Sequence, residues 1–384
     1  MTTAVIVDAL RTPSGRGKPG GALAQWHPAD LLGTVLRELV ARNDLDPALV
    51  DDVIGGCVTQ SGTQSVNVTR NAVLAAGFPE SVPGTTVDRQ CGSSQQAAHF
   101  AAQGVIAGAY DIVIACGVEL MSANPIGGAT LGQDSSGPLV HARYPEGLVN
   151  QGISAELIAS RWKLSREALD TFAERSHRLA GASDFSSEIL SFGDFSTDET
   201  IRPGTTVAAL GELKPAFHDE AVAQRFPEIH WKITAGNSSP YTDGASAVLI
   251  MSEERALELG LTPRARFHSF AVVGSDPIEM LTGIIPATHR ILDRSGLGID
   301  DLDTVEINEA FASVPLAWQH EFGADPTLIN PRGGAIALGH ALGSSGTRLL
   351  TTMVNQLERT GGRYGLQVMC EGGGMANATI IERL

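Results

Sequence analysis

Residues 108–117, GAYDIVIACG, and residues 362–371, GRYGLQVMCE, repeat one pattern within this chain. Each stretch has a glycine and a tyrosine, an apolar run typical of a buried strand, and a cysteine near its end. Carried back without gaps, the alignment sets Cys91 opposite Ser345, each at the start of a helical pattern. The repeat predicts two duplicated α/β halves, although buried strands share Val, Ile and Leu whatever their ancestry.

The composition is typical of a globular enzyme. The 384 residues are 43% apolar and 18% charged and include 43 glycines, which disfavours disorder and allows two or three packed units. The formal net charge of −16 argues against a nucleic-acid or anionic-membrane partner, because both need a clustered basic surface. An anionic small substrate would need a local pocket of cations or amides.

The apolar runs of the chain predict strands rather than membrane segments. The opening residues MTTAVIVDALRTP hold a short apolar run followed by Arg11, which predicts a buried first strand and not a signal peptide. The longest apolar runs, at 112–116 and 245–251, fall far below membrane-spanning length. We therefore expect a cytoplasmic protein without membrane insertion.

The pattern of elements changes along the chain. Strand-like runs alternate with amphipathic helices such as residues 28–42 until about residue 118, which is typical of α/β folds. Residues 119–235 are richer in Gly, Ser, Asn and Pro and hold the amphipathic helix 165–180. This predicts an N-terminal half of residues 1–118 that residues 236–260 complete, an inserted segment of residues 119–235, and a C-terminal half of residues 261–384.

Cys91, in VDRQCGSSQQAAHF, precedes a predicted helix with small residues along one face. The amide hydrogens and the positive dipole end of such a helix favour thiolate over thiol, which is the environment of a nucleophile. A free cysteine is as often a small core residue, so this stretch alone leaves both interpretations open. The chain has four cysteines without a close CxxC pair, which predicts reduced thiols and no metal site.

Three further motifs carry groups that suit a thiol nucleophile. His340 lies between glycines in NPRGGAIALGHALGSSGTR, so it is either a base that faces a cleft or a structural histidine. Cys370 precedes three glycines in MCEGGGM, a run that forms either an anion-binding nest or a tight turn beside a core cysteine. Asn308 and Glu309 follow a strand in INEAF, where polar residues line clefts or cap helices.

The motifs VDRQCGSSQQAA, NEAFA, GGAIALGHALGSSGTR and CEGGGM, in this order, closely resemble those of the thiolases. The segments DALRTPSGRG and ITAGNSSPYTDGASAVLIMSE are also similar to thiolase sequence, so the resemblance covers essentially the whole chain. It implies the thiolase fold, in which two duplicated α/β halves pack as five layers, αβαβα, with an inserted loop domain. It also implies a homodimer or a homotetramer.

The implied reaction is CoA-dependent cleavage of a 3-ketoacyl-CoA to acetyl-CoA and a shortened acyl-CoA, as in fatty acid β-oxidation, or its reverse. By resemblance, Cys91 is the nucleophile that carries the acyl group and His340 activates it. Cys370 is the general acid and base at the α-carbon of acetyl-CoA. Coenzyme A is then a substrate, and no permanently bound cofactor is expected.

The resemblance also implies two oxyanion holes. Asn308, through a water, and His340 form one, and the backbone amides of Cys91 and Gly372 form the other. Donors aimed at a thioester enolate suit this role physically. Ser239 matches a serine that contacts the pantetheine of CoA. Candidates for the CoA phosphates are Arg202 and Lys214 in the inserted segment, without an assignment.

Several residues depart from the family pattern. Ser94 and Pro240 stand where glycines are common, and Ala341 stands where proline usually follows the histidine. We expect all three near the pocket, where they affect substrate choice more than chemistry. Gln151 and Asn150 replace the methionine and histidine of short-chain biosynthetic thiolases, which favours a degradative enzyme for broader-chain or bulky acyl groups.

Alternatives to a degradative thiolase remain on the sequence alone. One is a biosynthetic acetyl-CoA acetyltransferase that forms acetoacetyl-CoA, since a catalyst accelerates both directions. Another is a non-catalytic acyl-CoA or lipid carrier on the same scaffold, which would tolerate loss of a reacting residue. Decarboxylating synthases use a second histidine where Cys370 stands, so Cys370 favours a thiolase.

Overall fold

Ten strands form the framework of the computed structural model, which describes residues 2–384. The strands are β1 (Ala4–Arg11), β2 (Gly15–Arg16), β3 (Asp52–Gly56), β4 (Thr85–Val87), β5 (Ile112–Leu120), β6 (Thr242–Ser252), β7 (Ala265–Gly274), β8 (Thr304–Ile307), β9 (Tyr364–Glu371) and β10 (Met375–Arg383). The predicted first strand is confirmed as β1, and all of its residues are buried.

Helices cover the strands on both sides. The α-helices are α1 (Pro28–Ala41), α2 (Val68–Ala75), α3 (Ser93–Ile106), α4 (Pro138–Arg143), α5 (Gln151–Arg161), α6 (Arg166–Gly181), α7 (Val207–Gly211), α8 (Glu220–Arg225), α9 (Glu253–Glu258), α10 (Ile284–Ser295), α11 (Ser313–Phe322), α12 (Ala335–Leu338) and α13 (Ser345–Thr360). Short 3-10 helices lie at Pro47–Leu49, Gly62–Gln64, Gly128–Thr130, Met280–Gly283, Ile299–Asp301, Pro326–Leu328 and Leu342–Ser344. Helices α1 and α6 confirm the two amphipathic helices predicted at 28–42 and 165–180.

The duplication appears directly in the strand order. In the first half the order is β3-β5-β6-β1, and in the second half it is β8-β9-β10-β7. The pairs β3–β5 and β8–β9 are parallel and the remaining pairs of both series are antiparallel. Two residue pairs between β1 and β7 join the halves. The repeated stretches of sequence are β5 and β9, at the same place in each half.

The hydrophobic clusters define five layers. Alternate residues of β5 face opposite sides, so Ile114 packs outward against α1 and α2, while Val113 packs inward. The inward cluster holds apolar residues of α3 and α13 and of strands from both halves, including Ala97 and Leu350. On the far side, α10 and α11 cover the second half, with Trp318 fully buried. The layers are therefore α1/α2, sheet, α3/α13, sheet and α10/α11.

The connection between β5 and β6 is the inserted segment. Residues 121–241 are all described and hold α4 to α8, and none of the ten strands of the sheet lies among them. Helices α5 and α6 pack against the apolar cluster of the second half. The bounds given above for the three units, 1–118 with 236–260, 119–235 and 261–384, stay a prediction.

Gly346 allows the two central helices to approach closely. A Cβ atom at Gly346 on α13 would collide with the backbone nitrogen of Gln95 on α3 and would lie 2.8 Å from its Cα. We expect Gly346→Ala to lower the free energy of unfolding by about 1–3 kcal/mol, because backbone atoms must move apart. Urea unfolding measures this change. Gly211→Ala is the control, since its Cβ meets open space; equal stability of the two variants would contradict the proposed close contact.

Candidate active site

Four residues from separate motifs converge where strands end and helices begin. Cys91 lies just before α3, and Asn308 follows β8. Cys370 lies near the end of β9, which is parallel to β8, and His340 lies in the loop between α12 and α13. All four are buried, with exposed fractions of 4%, 0%, 1% and 5% respectively. Because β8 and β9 are parallel neighbours, their carboxyl ends bring Asn308 and Cys370 together.

The Cys91 thiol is held in an apolar wall beside the second cysteine. Met121, Leu342 and Met369 pack around it. Burial raises the pKa of Cys91 above its ordinary value, and the nearby Cys370 and Glu371 raise this pKa further. The backbone amides of Cys91 and Gly372 lower the pKa, but by less than burial raises it. The amides at the start of the helix therefore favour the thiolate, as the sequence indicates, while burial favours the neutral thiol.

His340 is oriented by the first residue of α13. Its Nδ1 lies 2.6 Å from Ser345 Oγ, and the Ser345 hydroxyl donates to the Ala341 carbonyl at 2.8 Å. Since that hydroxyl has one proton, Nδ1–H donates to Ser345 and Nε2 remains the acceptor. Burial, with a smaller effect of Arg348, lowers the pKa of His340 to about 3. The imidazole is thus neutral, with its unprotonated Nε2 turned toward Asn308.

Asn308 connects the histidine to Cys370. Its Nδ2 lies 3.4 Å from His340 Nε2, and its side chain also bonds the Cys370 thiol. Burial raises the pKa of Cys370 to about 12, Glu371 raises it as well, and the Cys370 backbone amide and Asn308 oppose this rise. The Oδ1 atom of Asn308 is buried and has no hydrogen-bond partner among residues 2–384. This acceptor is therefore free for a group that enters the site.

The glycine run after Cys370 forms a turn that lies against Gln90 and Gln151. Gly373 and Gly374 have φ values of 81° and 77°, a region that favours glycine. A Cβ at Gly372 would lie 3.0 Å from Gln90 Oε1 and 3.2 Å from Gln151 Nε2. Gly372 therefore lies among groups that a side chain would displace, with its amide directed at Cys91.

Ser239 lies beside the Asn308 loop. Its backbone amide and its hydroxyl both donate to the Ala310 carbonyl, at 3.0 and 3.2 Å. The structure thus brings Ser239 to the same region as Cys91, His340, Asn308 and Cys370. Among the described residues, no hydrogen bond joins the Cys91 thiol to His340.

Two buried acids near the site were not singled out from the sequence. Glu119 accepts hydrogen bonds from the Val58 and Gly343 amides, both at 2.9 Å, and so fixes the loop three residues after His340. Glu371 lies beside both thiols, and burial raises its pKa to about 9, so its carboxyl group is neutral at neutral pH. An acidic residue inside an otherwise apolar strand, as in IACGVEL and VMCE, is the signal that could have revealed them.

Ser94, Ala341 and Pro240 each form a hydrogen bond in the structure. Ser94 is fully buried, and its hydroxyl accepts a hydrogen bond from the Thr347 amide at 3.0 Å, so it joins α3 to α13. Ala341 supplies the carbonyl that binds Ser345, and Pro240 supplies a carbonyl to Thr242 Oγ1 at 2.9 Å. Their effect on substrate choice stays a prediction.

Cys116 is a cysteine of the hydrophobic core. It occupies the place in the first half that Cys370 occupies in the second, and it is fully buried among apolar residues.

None of the helices in residues 2–384 is long and apolar enough to cross a membrane. The same residues hold no group of three or more His, Cys, Asp or Glu that could bind a metal ion.

Two family models account for nearly the whole chain. Residues 4–254 match the family described as thiolase, N-terminal domain, and residues 261–383 match thiolase, C-terminal domain. The chain belongs to the thiolase family. Its two duplicated α/β halves, five layers and inserted segment are the thiolase fold, as the sequence predicts.

Individual thiolases resemble the chain over its full length. A steroid 3-ketoacyl-CoA thiolase of Mycobacterium tuberculosis is 49% identical, over 100% of this chain and 95% of that protein. A 3-ketoacyl-CoA thiolase of Vibrio cholerae is 44% identical over 100% of both chains. The crystal structure of the Bacillus anthracis acetyl-CoA acetyltransferase superposes with a TM-score of 0.88 at 36% identity, over 100% of this chain and 99% of that one.

Proposed function

We propose that this protein is a 3-ketoacyl-CoA thiolase, an acyltransferase that cleaves a 3-ketoacyl-CoA with free CoA into acetyl-CoA and a shortened acyl-CoA. The observation that carries the proposal is the convergence of Cys91, His340, Asn308 and Cys370 in one buried site. Full-length relatives named 3-ketoacyl-CoA thiolase support the same conclusion.

Cys91 forms the acyl-enzyme in the first half-reaction. Burial raises the pKa of its thiol, so an adjacent base has to accept the proton as the sulfur attacks the 3-keto carbon. His340 is that base, because its Nε2 is unprotonated and Ser345 fixes the ring. The bond between C2 and C3 then breaks, and its electron pair forms the enolate of acetyl-CoA.

Cys370 supplies the proton that completes acetyl-CoA. Burial holds the pKa of Cys370 near 12, so the thiol keeps its proton at neutral pH until the basic enolate carbon takes it. The thiol of free CoA then attacks the acyl group on Cys91 and its proton restores Cys370. The leaving Cys91 sulfur takes its proton back from His340, so the products are a shortened acyl-CoA and the free Cys91 thiol.

Two sets of donors stabilise the negative oxygens. The amides of Cys91 and Gly372 serve one oxygen, and both act on the Cys91 sulfur in the free protein. His340 and a water held by Asn308 serve the other, which gives a role to the unpartnered Oδ1 of Asn308. Loss of one such donor typically costs about 10²–10³-fold in rate.

Coenzyme A enters as a substrate along the Ser239 side of the site. Ser239 contacts its pantetheine, and Arg202 and Lys214 in the inserted segment are the candidate phosphate contacts. We further propose a cytoplasmic homodimer or homotetramer that acts in fatty acid β-oxidation. Full-length relatives named 3-ketoacyl-CoA thiolase support the proposed part in β-oxidation.

Thiolysis by the purified protein tests the proposed function. We expect chromatography to show that the protein, with free CoA, converts each acetoacetyl-CoA to two acetyl-CoA and each 3-ketodecanoyl-CoA to one acetyl-CoA and one octanoyl-CoA. Omission of CoA should stop turnover, because the acyl-enzyme then has no acceptor. A protein that left both substrates uncleaved would be a carrier rather than a thiolase.

A further inference from the structure

The carboxyl group of Glu371 lies against the residue that follows the nucleophile. Glu371 is the last residue of β9, and its side chain points away from that of Cys370, toward the start of α3, because neighbours in a strand alternate. A Cβ at Gly92 would collide with Glu371 Oε1 and would lie 2.8 Å from its Cδ. The carboxyl group therefore occupies the space that a side chain next to Cys91 would need.

Asn377 connects this carboxyl group to the first turn of α3. Asn377 is fully buried on β10 and donates through Nδ2 to Glu371 Oε1 at 2.6 Å, while its Oδ1 accepts from the Gln96 amide at 3.3 Å. The same Gln96 amide donates to the Gly92 carbonyl at 2.8 Å. The three side chains and amides thus hold the beginning of α3, the turn that carries the Cys91 thiol.

The carboxyl group has no cation strong enough to keep it ionised. Its Oε2 is buried and has no hydrogen-bond partner among residues 2–384. Arg89 lowers the pKa of Glu371 and Asp88 raises it, but burial has the largest effect and sets the pKa at about 9. A carboxyl group in such surroundings takes up a proton, because an unpaired buried charge costs more. Glu371 is therefore an uncharged acid at neutral pH.

A negative charge on Glu371 would oppose the chemistry at both thiols. Negative charge develops in the buried site when the Cys91 sulfur attacks and again when the enolate forms. Glu371 acts on both cysteines, since an ionised carboxylate there raises the pKa of Cys91 and of Cys370. Repulsion of this kind is strong where water is excluded. The uncharged carboxyl group keeps its hydrogen bond to Asn377 without adding this repulsion.

Four ionisable groups interact with Glu371, namely Asp88, Arg89, Cys91 and Cys370. The groups that α3 and β10 bring to the carboxyl group, the Gln96 amide and Asn377, carry no charge. Burial keeps both thiols protonated well above neutral pH, with a pKa of about 12 for Cys370. Glu371 is thus expected to ionise before either thiol as the pH rises.

We propose that Glu371 is a positioning residue that acts through its uncharged carboxyl group. This group fills the space beside Gly92, holds the start of α3 through Asn377, and leaves the thiols without a neighbouring negative charge. The proposal deepens the proposed function and rests on it, since it concerns acylation of Cys91. Ionisation of Glu371 should therefore slow acylation, and glutamine, which has the same shape and stays uncharged, should replace it.

The pH dependence of acylation in Glu371→Gln tests the proposal. Rapid quenching and mass spectrometry give the rate at which the acyl adduct forms on Cys91 from 3-ketodecanoyl-CoA without free CoA. The ratio of the wild-type rate to the variant rate removes any effect of substrate ionisation. We expect a ratio within about 3-fold of unity at neutral pH and a fall of about 10-fold or more by about pH 10, because only the wild-type protein gains a carboxylate there.

Glu306→Gln is the matched control. Glu306 is also buried, with a pKa raised to about 8, but it is not among the groups that shift the pKa of either thiol. Its substitution should keep the wild-type pH dependence.

Glu371→Met separates the hydrogen bond from the charge. Methionine is uncharged and of similar length, so this variant should also lack the slowing at high pH. At neutral pH it should acylate about 10-fold more slowly than Glu371→Gln, because Asn377 loses its buried partner. It repeats the pH test if Glu371→Gln fails to fold.

The other outcomes count against the proposal. A ratio that stays constant with pH in folded Glu371→Gln would show that ionisation of Glu371 does not affect acylation. A glutamine variant as slow as Glu371→Met at neutral pH would mean that an uncharged group does not suffice. Loss of the slowing in Glu306→Gln would assign it to Glu306 instead. A wild-type protein that forms no adduct would overturn the proposed function itself.

Discussion

Cys91→Ser is expected to abolish acyl transfer. Mixed with 3-ketodecanoyl-CoA without free CoA, the wild-type protein should gain the mass of one octanoyl group, carbons 3 to 10 of the substrate chain, localised to Cys91. The serine variant should show no adduct, and its thiolysis rate should fall by about 10⁴-fold or more, since the loss of a nucleophile removes the acyl-enzyme altogether. A serine hydroxyl is a far weaker acid than a thiol. Burial, which raises the pKa of the Cys91 thiol, also disfavours the ionised form of a hydroxyl at the same place.

The control for this experiment is Cys116→Ala. Cys116 is buried at the equivalent place of the first half, away from the four convergent residues, so its loss should leave the adduct on Cys91 intact. An adduct of full yield on the Cys91→Ser protein would show that another group carries the acyl chain. Mass spectrometry of tryptic peptides distinguishes these results.

Cys370→Ala is expected to separate the two thiols. Acyl transfer to Cys91 should remain measurable, whereas exchange of the α-protons of acetyl-CoA with deuterated water should fall by about 10²–10⁴-fold, the usual contribution of a positioned acid or base. Overall thiolysis should fall by a similar factor, because the enolate then lacks its proton donor. Nuclear magnetic resonance of acetyl-CoA in deuterium oxide measures the exchange directly.

The raised pKa of Cys370 explains why its removal should lower the rates of exchange and thiolysis. Since burial raises that pKa to about 12, the thiol holds its proton at neutral pH and is suited to act as an acid toward a strong carbon base. Undiminished exchange in Cys370→Ala would refute the assigned role. Cys116→Ala serves as the control here as well, because it removes a thiol from the duplicated strand β5 without touching Asn308 or Cys91.

Much of the fold could be predicted because its signals are local. The apolar run in β5 and its repeat in β9 follow from residues that adjoin in sequence, and so do helices α1 and α6 with their caps. The motifs around Cys91, His340, Asn308 and Cys370 likewise named four residues that the structure brings together in one buried site. The match of strand order between the halves then followed from the duplication.

Other properties depended on contacts between distant residues. The hydroxyl of Ser94 bonds the Thr347 amide because α3 and α13 pack together in the central layer, a contact that the residues around Ser94 do not indicate by themselves. Glu119 could not be linked to the His340 loop from sequence, because 224 residues separate it from Gly343.

The sequence by itself determined the duplicated α/β halves and the family, and it named the four residues that converge in the candidate site, because covalent order and side-chain chemistry are written in it. Only the tertiary structure decided the protonation states, since burial of Cys91, Cys370 and His340 shifts their pKa values more than neighbouring residues in sequence do. It also decided that Ser345 orients His340. Desolvation and long-range packing come into being only when the chain has folded.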